Sequence, residues 1–265
     1  MTSSIKFIAT DMDGTLLNDD KALPADFYAV FNQLDAKNIL FAAASGRQYQ
    51  SLANTFEPIK DKMLFIAENG TLVMHQGKEL YSSTIPTPEI HAIINSIKTI
   101  ENTFIVLCGK NSAYTETIDK HALEEIKKYY HNLEFVNDLL AVDDEFIKIA
   151  VLNFNGTEAL VYPIISPLYS QTHQVVISAK VWLDVMHKTA SKGTAIKELQ
   201  RIFNFTFEES MSFGDFLNDV EMLKETYFSY AMGNAHPEIK QLARFHAPSN
   251  NDQGVMTVIK EKVLN

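Results

Sequence analysis

Short apolar runs and amphipathic stretches alternate along the first third of the chain. The apolar runs cover residues 5–11, 39–44 and 63–67, and the amphipathic stretches cover 24–37 and 48–56. Strands that are buried on both faces of a parallel sheet read as continuous apolar runs, as ILFAAA does here. The order predicts a βαβαβ unit, with helices on both faces of a parallel sheet.

The same rhythm returns near the end of the chain. Apolar runs at residues 211–213 and 227–232 are separated by a helix-like stretch near 219–224. Further helix-like stretches begin at Pro237 and after Gln253. Because both ends of the chain share one pattern, we predict that they form one sheet.

The middle of the chain has a different pattern. Two pairs of strand-like runs flank short turn sequences, at residues 104–108 with 113–117 and at 174–178 with 181–185. Adjacent strands joined by tight turns form antiparallel sheet. Thr87 precedes Pro88 and predicts a helix start with a threonine cap. We therefore predict a doubly wound, Rossmann-like α/β core, residues 1–83 plus 187–265, with an inserted α+β domain at 84–186.

Polar residues cluster where the predicted strands end or helices begin. In an open α/β sheet, ligands bind beyond the carboxyl ends of the strands, so these positions are candidates for a site. The clusters are Asp11 and Asp13; Ser45, Gly46 and Arg47; Lys192; and Asp215, Asn218 and Asp219.

Asp11 and Asp13 follow the first strand, two residues apart. An extended backbone repeats its side-chain direction every second residue, so both carboxylates can face one side. Like charges at close range repel unless a cation neutralises them, which indicates a metal site or a nucleophile beside an acid/base. Phosphoryl transfer can use all of these. A lone DxD is also typical of a turn, since Asp bonds locally to the backbone.

The other clusters each allow two interpretations. Ser45 and Gly46 can hold phosphate oxygens beside a helix start, or Ser45 can simply cap the helix. Lys192 opposes the macrodipole at a helix N-terminus, which favours a site that needs a cation, although most lysines are solvated. Asp215 can bind a hard cation such as Mg²⁺, whereas Asn218 and Asp219 can orient their neighbours or cap a helix.

Composition narrows the function classes. The chain has 265 residues, 46% of them hydrophobic and 21% charged, which is typical of a globular protein. A net charge of −10 argues against a nucleic-acid partner. The single cysteine, Cys108, excludes an internal disulfide, and we expect a cytoplasmic protein with neither a signal segment nor a membrane role. A small phosphorylated metabolite is the expected partner, and the oligomeric state is left open.

The clusters belong to longer motifs that resemble a known family. DMDGTLLN, ASGR, ENGT, the SKG lysine, GDFLND and AMGNA occur in this order. Together they resemble the haloacid dehalogenase-like hydrolases, and the insert resembles the large cap domain of their Cof-type branch. The CGxxSAY pattern at residues 107–114 is most similar to the sugar-phosphatase subgroup. Ser45 stands where many relatives have Thr, and Phe216 and Leu217 are larger than the usual residues.

The resemblance implies a role for each motif residue. It implies that Asp11 is the nucleophile and that Asp13 is the acid/base. It implies a Mg²⁺ ion held by Asp11, Asp215 and the backbone carbonyl of Asp13. The groups implied to hold the phosphate are the Met12 amide, Ser45, Gly46, Lys192 and Asn218, and Asp219 is implied to support Lys192 or a metal-bound water.

The resemblance implies a Mg²⁺-dependent sugar phosphatase that uses an aspartyl phosphate. Other substrates, such as flavin mononucleotide or pyridoxal phosphate, and a phosphomutase reaction are alternatives. A phospho-acceptor signalling module uses similar residues, but its domain is smaller and needs no acid at the position of Asp13. A sugar-phosphate sensor without catalysis is a further alternative, disfavoured because no catalytic position is missing. We expect the cap domain to select the substrate.

Overall fold

The structure, a computed structural model, describes residues 5–265 and contains two β-sheets with their own helices. Its fourteen described strands, in chain order, are β1 (Phe7–Thr10), β2 (Leu40–Ala44), β3 (Leu64–Ala67), β4 (Leu72–His75), β5 (Lys78–Ser82), β6 (Phe104–Gly109), β7 (Ala113–Thr115), β8 (Leu133–Phe135), β9 (Phe146–Leu152), β10 (His173–Ala179), β11 (Trp182–His187), β12 (Ser210–Gly214), β13 (Phe228–Ala231) and β14 (Phe245–His246). The described α-helices are α1 (Phe27–Ala36), α2 (Tyr49–Thr55), α3 (Thr87–Ile97), α4 (Lys120–Ile126), α5 (Thr157–Leu160), α6 (Tyr162–Tyr169), α7 (Lys192–Phe203), α8 (Val220–Lys224), α9 (Pro237–Leu242) and α10 (Gly254–Ile259).

The larger sheet has the strand order β14-β13-β12-β1-β2-β3-β4-β5. All its neighbouring pairs from β14 to β3 are parallel, and β4 and β5 add an antiparallel hairpin at the edge. The two ends of the chain therefore share one sheet, as predicted. This confirms the α/β core, which is doubly wound.

Both faces of β1 are buried, which explains its uninterrupted apolar sequence. Ile8 joins the cluster that contains Phe27 and Phe31 of α1, on one face of the sheet. Phe7 points the other way and joins the cluster of α7, where its ring stacks on Phe205 with centroids 4.5 Å apart. Packing on both faces therefore fixes the strand, and its carboxyl end holds Asp11 in a fixed position.

The smaller sheet is built from the middle of the chain, in the order β10-β11-β9-β6-β7-β8. Its pairs are antiparallel except β7 with β8. Helices α3 and α6 pack isoleucines against one face, among them Ile94 and Ile165. This confirms the inserted α+β cap domain and both of its hairpins. The limits 1–83 plus 187–265 for the core and 84–186 for the cap domain stay a prediction.

Some local details differ from the sequence predictions. The hairpin of β4 and β5 and the short strand β8 were not predicted. Helix α3 begins at Thr87, but no side chain caps it, so the threonine cap is wrong. Ser45 caps no helix either, because α2 begins at Tyr49 with Gln48 at its N-cap position.

Candidate active site

Lys192 lies between two carboxylates at the centre of the carboxyl edge of the core sheet. Its Nζ donates to Oδ1 of Asp11 at 2.5 Å and to Oδ1 of Asp219 at 2.7 Å. Asp11 follows β1, and Lys192 is the first residue of α7, whose N-cap is the Ser191 side chain. The lysine is fully buried, so its ammonium is a fixed charge beside Asp11 rather than a solvated surface group.

Asp219 is saturated by protein donors. One of its oxygens accepts from Lys192, and the other accepts from the backbone amides of Asp215 and Phe216, at 3.0 and 3.3 Å. Fixed in this way, Asp219 orients Lys192 and closes the turn after β12. The supporting role that the resemblance implies for Asp219 stays a prediction.

Three carboxylates meet at the same place. Oxygens of Asp11, Asp215 and Asp219 all lie within 4.8 Å of one another. Protein donors already satisfy Asp219. An added cation would therefore engage the carboxylates of Asp11 and Asp215. Thr15 orients Asp215 by donating from Oγ1 to its Oδ1 at 2.8 Å. Hard oxygen donors with excess negative charge fit Mg²⁺ well.

Burial, and after it the charge of neighbouring carboxylates, shifts the acidities of these carboxyl groups. Burial raises the pKa of Asp11 well above its usual value, although the charge of Lys192 opposes the rise. Burial and the charge of Asp219 raise the pKa of Asp215 to about 7. A cation between these groups would favour their ionised forms.

The side chain of Asp13 does not belong to this carboxylate cluster. It pairs with Arg47, whose Nε and Nη2 donate at 2.8 and 2.7 Å, and with Lys21, whose Nζ donates at 2.9 Å. Burial alone would raise the pKa of Asp13, but the hydrogen bonds and charges of Arg47 and Lys21 outweigh it and lower the pKa. Only the backbone carbonyl of Asp13 was predicted to bind the metal, and that role stays a prediction.

A tight turn carries the chain from Asp11 away from the site. The carbonyl of the buried Met12 accepts from the amide of Leu17 at 2.9 Å, and Gly14 has φ +82°. A β-carbon on Gly14 would lie 2.5 Å from Oδ2 of Asp215. The glycine is therefore needed both for the left-handed backbone and for the close approach of the Asp215 carboxylate.

Two loops beyond Ser45 and Ala67 lie against each other beside Asp11. The carbonyl of Ser45 accepts from the amide of Asn69 at 2.8 Å, and the carbonyl of Arg47 accepts from Glu68 at 3.0 Å. The Ser45 hydroxyl accepts from the amide of Arg47 at 3.2 Å. Ser45 and Gly46 thus lie on a loop that a second loop braces, well before α2 begins.

Asn218, which follows β12, contacts the second of these two loops. Its Nδ2 donates to Oδ1 of Asn69 at 3.0 Å, and the Asn69 side chain lies against the side of Gly46 where a β-carbon would be. Six of the nine core residues predicted for the site line one cavity of about 100 Å³ together with several cap residues, whereas Met12, Lys192 and Asp219 do not line it. The cavity is lined by Asp11, Asp13, Ser45, Gly46, Arg47, Asp215, Phe216 and Asn218 of the core and by Tyr129, Tyr130, Lys148, Ser178, Ala179, Trp182 and Asp184 of the cap domain.

Several residues of this site had no role predicted from the sequence. Arg47 and the ENG sequence at 68–70 stand inside quoted motifs, but neither received a contact. Lys148 and Asp184 were missed, although each is a lone charge in an otherwise apolar strand, FIKIAVL and WLDVMH. That interruption is the signal that could have revealed them.

A family model described as haloacid dehalogenase-like hydrolase matches residues 8–259. The chain belongs to this family. The match confirms the family that the motifs resemble, and it spans both the core and the inserted sheet of this haloacid dehalogenase-like hydrolase.

Individual relatives of this hydrolase cover nearly the whole chain. It is 34% identical to the 5-amino-6-(5-phospho-D-ribitylamino)uracil phosphatase YbjI of Escherichia coli (strain K12), over 98% of this chain and 97% of that protein. The crystal structure of SMU.1108c from Streptococcus mutans UA159 has a TM-score of 0.93 at 29% identity, covering 99% of this chain and 100% of that chain. The sugar phosphatase BT4131, of HAD subclass IIB, has a TM-score of 0.83 at 23% identity, covers 97% and 98% of the two chains, and supports the fold alone.

The helices described for residues 5–265 include none with the length and apolar character that crossing a membrane requires.

Proposed function

We propose that this hydrolase is a Mg²⁺-dependent phosphatase of small phosphate esters, and that the phosphoryl group passes through an aspartyl phosphate on Asp11. The observation that carries the proposal is the position of Asp11. Its carboxylate lies 2.5 Å from the ammonium of Lys192 and beside Asp215, at the base of a cavity. A nucleophile, a fixed cation and a metal-type acidic cluster are the parts that phosphoryl transfer needs.

In the first step, an oxygen of Asp11 attacks phosphorus and the bond from phosphorus to the ester oxygen breaks. The leaving oxygen takes a proton from Asp13, which must carry that proton at the start of the step although Arg47 and Lys21 lower its pKa. In the second step, Asp13, now a carboxylate, removes a proton from water, whose oxygen attacks the same phosphorus. Inorganic phosphate leaves and the carboxylate of Asp11 is restored.

The remaining residues bind and orient the phosphoryl group. Lys192 supplies a positive charge that burial and Asp219 hold in place. Ser45, Gly46, Asn218 and the Met12 amide supply hydrogen-bonding groups around the phosphoryl oxygens. Such preorganised donors act in a site shielded from water, where their interactions are strong.

The residues that would hold Mg²⁺ are Asp11, Asp215 and the backbone carbonyl of Asp13. When bound, Mg²⁺ would neutralise charge on the carboxylates and on the phosphoryl oxygens. The raised pKa values of Asp11 and Asp215, caused first by burial and then by the charge of Asp219, are compatible with this assignment, because a bound cation would favour the ionised forms that burial disfavours.

We propose sugar phosphates as the first substrate class. The cap domain lines the cavity with polar groups, among them the Ser178 hydroxyl, which suit a leaving group rich in hydroxyls. Specific observations also favour a second candidate, the phosphorylated ribitylaminouracil named for the Escherichia coli relative. Tyr129 and Trp182 line the same cavity with ring centroids 5.8 Å apart, and they offer surface for a planar ring.

A phosphate-release screen tests both the proposed phosphatase activity and the proposed substrate class. The substrates are fructose, glucose and ribose phosphates, phosphorylated ribitylaminouracil, flavin mononucleotide and pyridoxal phosphate, each with Mg²⁺ and then with EDTA. We expect turnover only with Mg²⁺, and higher kcat/KM for hydroxyl-rich leaving groups. A preference for flavin mononucleotide or pyridoxal phosphate contradicts the sugar assignment, and turnover that depends on a bisphosphate activator indicates a phosphomutase. No phosphate release from any ester contradicts the proposed function.

A further inference from the structure

A short loop at residues 68–70, directly after β3, connects the cap domain to the groups proposed to bind phosphate. Glu68 and Asn69 have φ values of 49° and 57°, and Gly70 has 93°. Left-handed backbone is uncommon for residues other than glycine, and it persists only where the surroundings hold it. Contacts on the cap side and on the core side hold this loop in its left-handed conformation.

On the cap side, two charged residues bind the loop. Lys148 lies between Glu68, 2.5 Å away, and the Gly46 carbonyl, which accepts from its Nζ at 2.9 Å. Asp184 accepts a hydrogen bond from Nδ2 of Asn69. Lys148 and Asp184 are 1% and 2% exposed, so both charges are withdrawn from water and depend on these partners.

The two cap residues are neighbours on one face of the smaller sheet. In the pairing of β9 with β11, Ala150 is opposite Asp184 and Lys148 is opposite Met186, so the two charges are diagonal on the sheet. Their charged atoms lie 3.6 Å apart. The face that carries them is turned toward the core domain, where Glu68 and Asn69 provide the matching groups.

On the core side, the same loop contacts the phosphate-binding groups. Asn69 Oδ1 accepts from Asn218, its amide binds the Ser45 carbonyl, and its side chain lies against Gly46. A β-carbon on Gly70 would lie 2.7 Å from the amide nitrogen of Lys192. The side-chain amide of Asn69 is thus fixed at one end by the cap domain and at the other by Asn218.

We propose that Lys148 and Asp184 are positioning residues, which hold the loop at residues 68–70 and through it fix Asn218 and Gly46 for binding the phosphoryl group. This rests on the proposed function of the core site. In consequence, the cap domain contributes to the affinity for the phosphoryl group itself, whatever the leaving group. A residue that merely contacted the leaving group would have no such effect.

The test uses the inhibition constant of inorganic phosphate, which has no leaving group, measured with Mg²⁺ on the full chain. Asp184→Leu removes the acceptor of Asn69, and we expect it to weaken phosphate binding about tenfold, or about 1.4 kcal/mol. Asp184→Asn keeps an acceptor oxygen, and we expect a change of less than about twofold. Val185→Ala is a matched control on the same strand, since its side chain packs in the hydrophobic core of the cap domain and we expect no change in phosphate affinity.

Two further variants show whether Asp184 acts through Asn218. In a chain that carries Asn218→Ala, Asp184→Leu should cause no further loss of phosphate affinity, because the two changes break one chain of contacts. Asn69→Gly removes the connecting side chain but tolerates φ 57°, and it should weaken phosphate binding as much as Asp184→Leu. It also keeps the test decisive if Asp184→Leu does not fold.

Unchanged phosphate affinity in Asp184→Leu or Asn69→Gly, with KM changes that depend on the leaving group, would overturn the positioning role alone. So would an equal loss from Asp184→Leu with and without Asn218→Ala. A wild-type chain that binds no phosphate would overturn this proposal together with the proposed function.

Discussion

Arg47 binds Asp13 through two nitrogens, with Nε 2.8 Å from one carboxylate oxygen and Nη2 2.7 Å from the other. A two-point contact of this kind fixes the plane of the carboxylate as well as its position. It also holds the pKa of Asp13 below its usual value, against the effect of burial. The residue proposed to donate a proton is therefore oriented in advance by a partner that favours its ionised form.

If Arg47 acts through Asp13, the effects of changing them should not add. Asp13→Ala should slow hydrolysis of sugar phosphates, which need a protonated leaving group, far more than hydrolysis of p-nitrophenyl phosphate, which does not. Arg47→Met should show the same dependence in a weaker form. In the double variant, kcat for a sugar phosphate should match that of Asp13→Ala alone. Multiplicative losses would mean that Arg47 serves a separate function, such as contact with the substrate.

Asp11→Asn should abolish phosphate release and leave the fold intact. The change keeps the shape of the side chain but removes the nucleophile's charge, and a neutral group is well tolerated where burial already raises the pKa of the carboxyl. Circular dichroism and the melting temperature without metal should therefore match the wild type, whereas the stabilisation by Mg²⁺ should shrink. Turnover above a small fraction of the wild-type rate would exclude Asp11 as the nucleophile.

The stability of the metal-free protein should fall as the pH rises from about 4 to about 7. The folded-state pKa of Asp215 is raised from 3.8 to about 7, so the fold binds a proton that the unfolded chain has already released. That contribution is complete below the unfolded pKa and is lost as the pH rises through about 7. Mg²⁺ favours the ionised form, so its effect on the melting temperature should grow over the same interval.

Asp215→Asn is the control for this pH dependence. It removes the titrating group, so the melting temperature should depend less on pH and should respond little to Mg²⁺. An unaltered response to Mg²⁺ in this variant would show that the ion binds elsewhere.

Gly70 and Gly77 allow backbone strain to be separated from a steric clash. Both have positive φ, +93° and +70°, but a β-carbon on Gly70 would lie 2.3 Å from the Ser191 carbonyl oxygen, whereas nothing lies within 4 Å of one on Gly77. Gly77→Ala should cost about 1 kcal/mol of unfolding free energy, from strain alone. Gly70→Ala should cost more and should also weaken phosphate binding, because it displaces the backbone before Lys192. Equal losses of stability, measured by urea unfolding, would contradict this account of Gly70.

The core fold and the motif residues could be predicted because local pattern determines both. Buried parallel strands leave unbroken apolar runs, and Asp11, Lys192 and Asp215 stand at their ends or at a helix start. The β4–β5 hairpin was missed because its two-residue turn uses Gln76 before Gly77, and glutamine is not a typical residue for the positive φ of 53° found there. The strands on either side are short, and β5, with the sequence KELYS, is mostly polar, so neither gave a further signal.

The contacts between the domains could not be predicted, because they join residues far apart in sequence. A lone lysine in FIKIAVL and a lone aspartate in WLDVMH each suggest a buried partner, but no spacing rule pairs Lys148 with Glu68 or Asp184 with Asn69. Likewise, the ASGR motif marks Arg47 without revealing that its side chain binds Asp13. These pairs depend on how the inserted sheet sits on the core.

The central claim is that the phosphoryl group passes through Asp11 on its way to water. The stereochemical course at phosphorus tests this most directly, with a phosphorothioate monoester made chiral by two oxygen isotopes and hydrolysed in water that carries the third isotope. Each in-line displacement inverts phosphorus, so two successive displacements give net retention. We expect retention of configuration in the released thiophosphate. Inversion would show that water attacks the substrate directly and would contradict an aspartyl phosphate on Asp11.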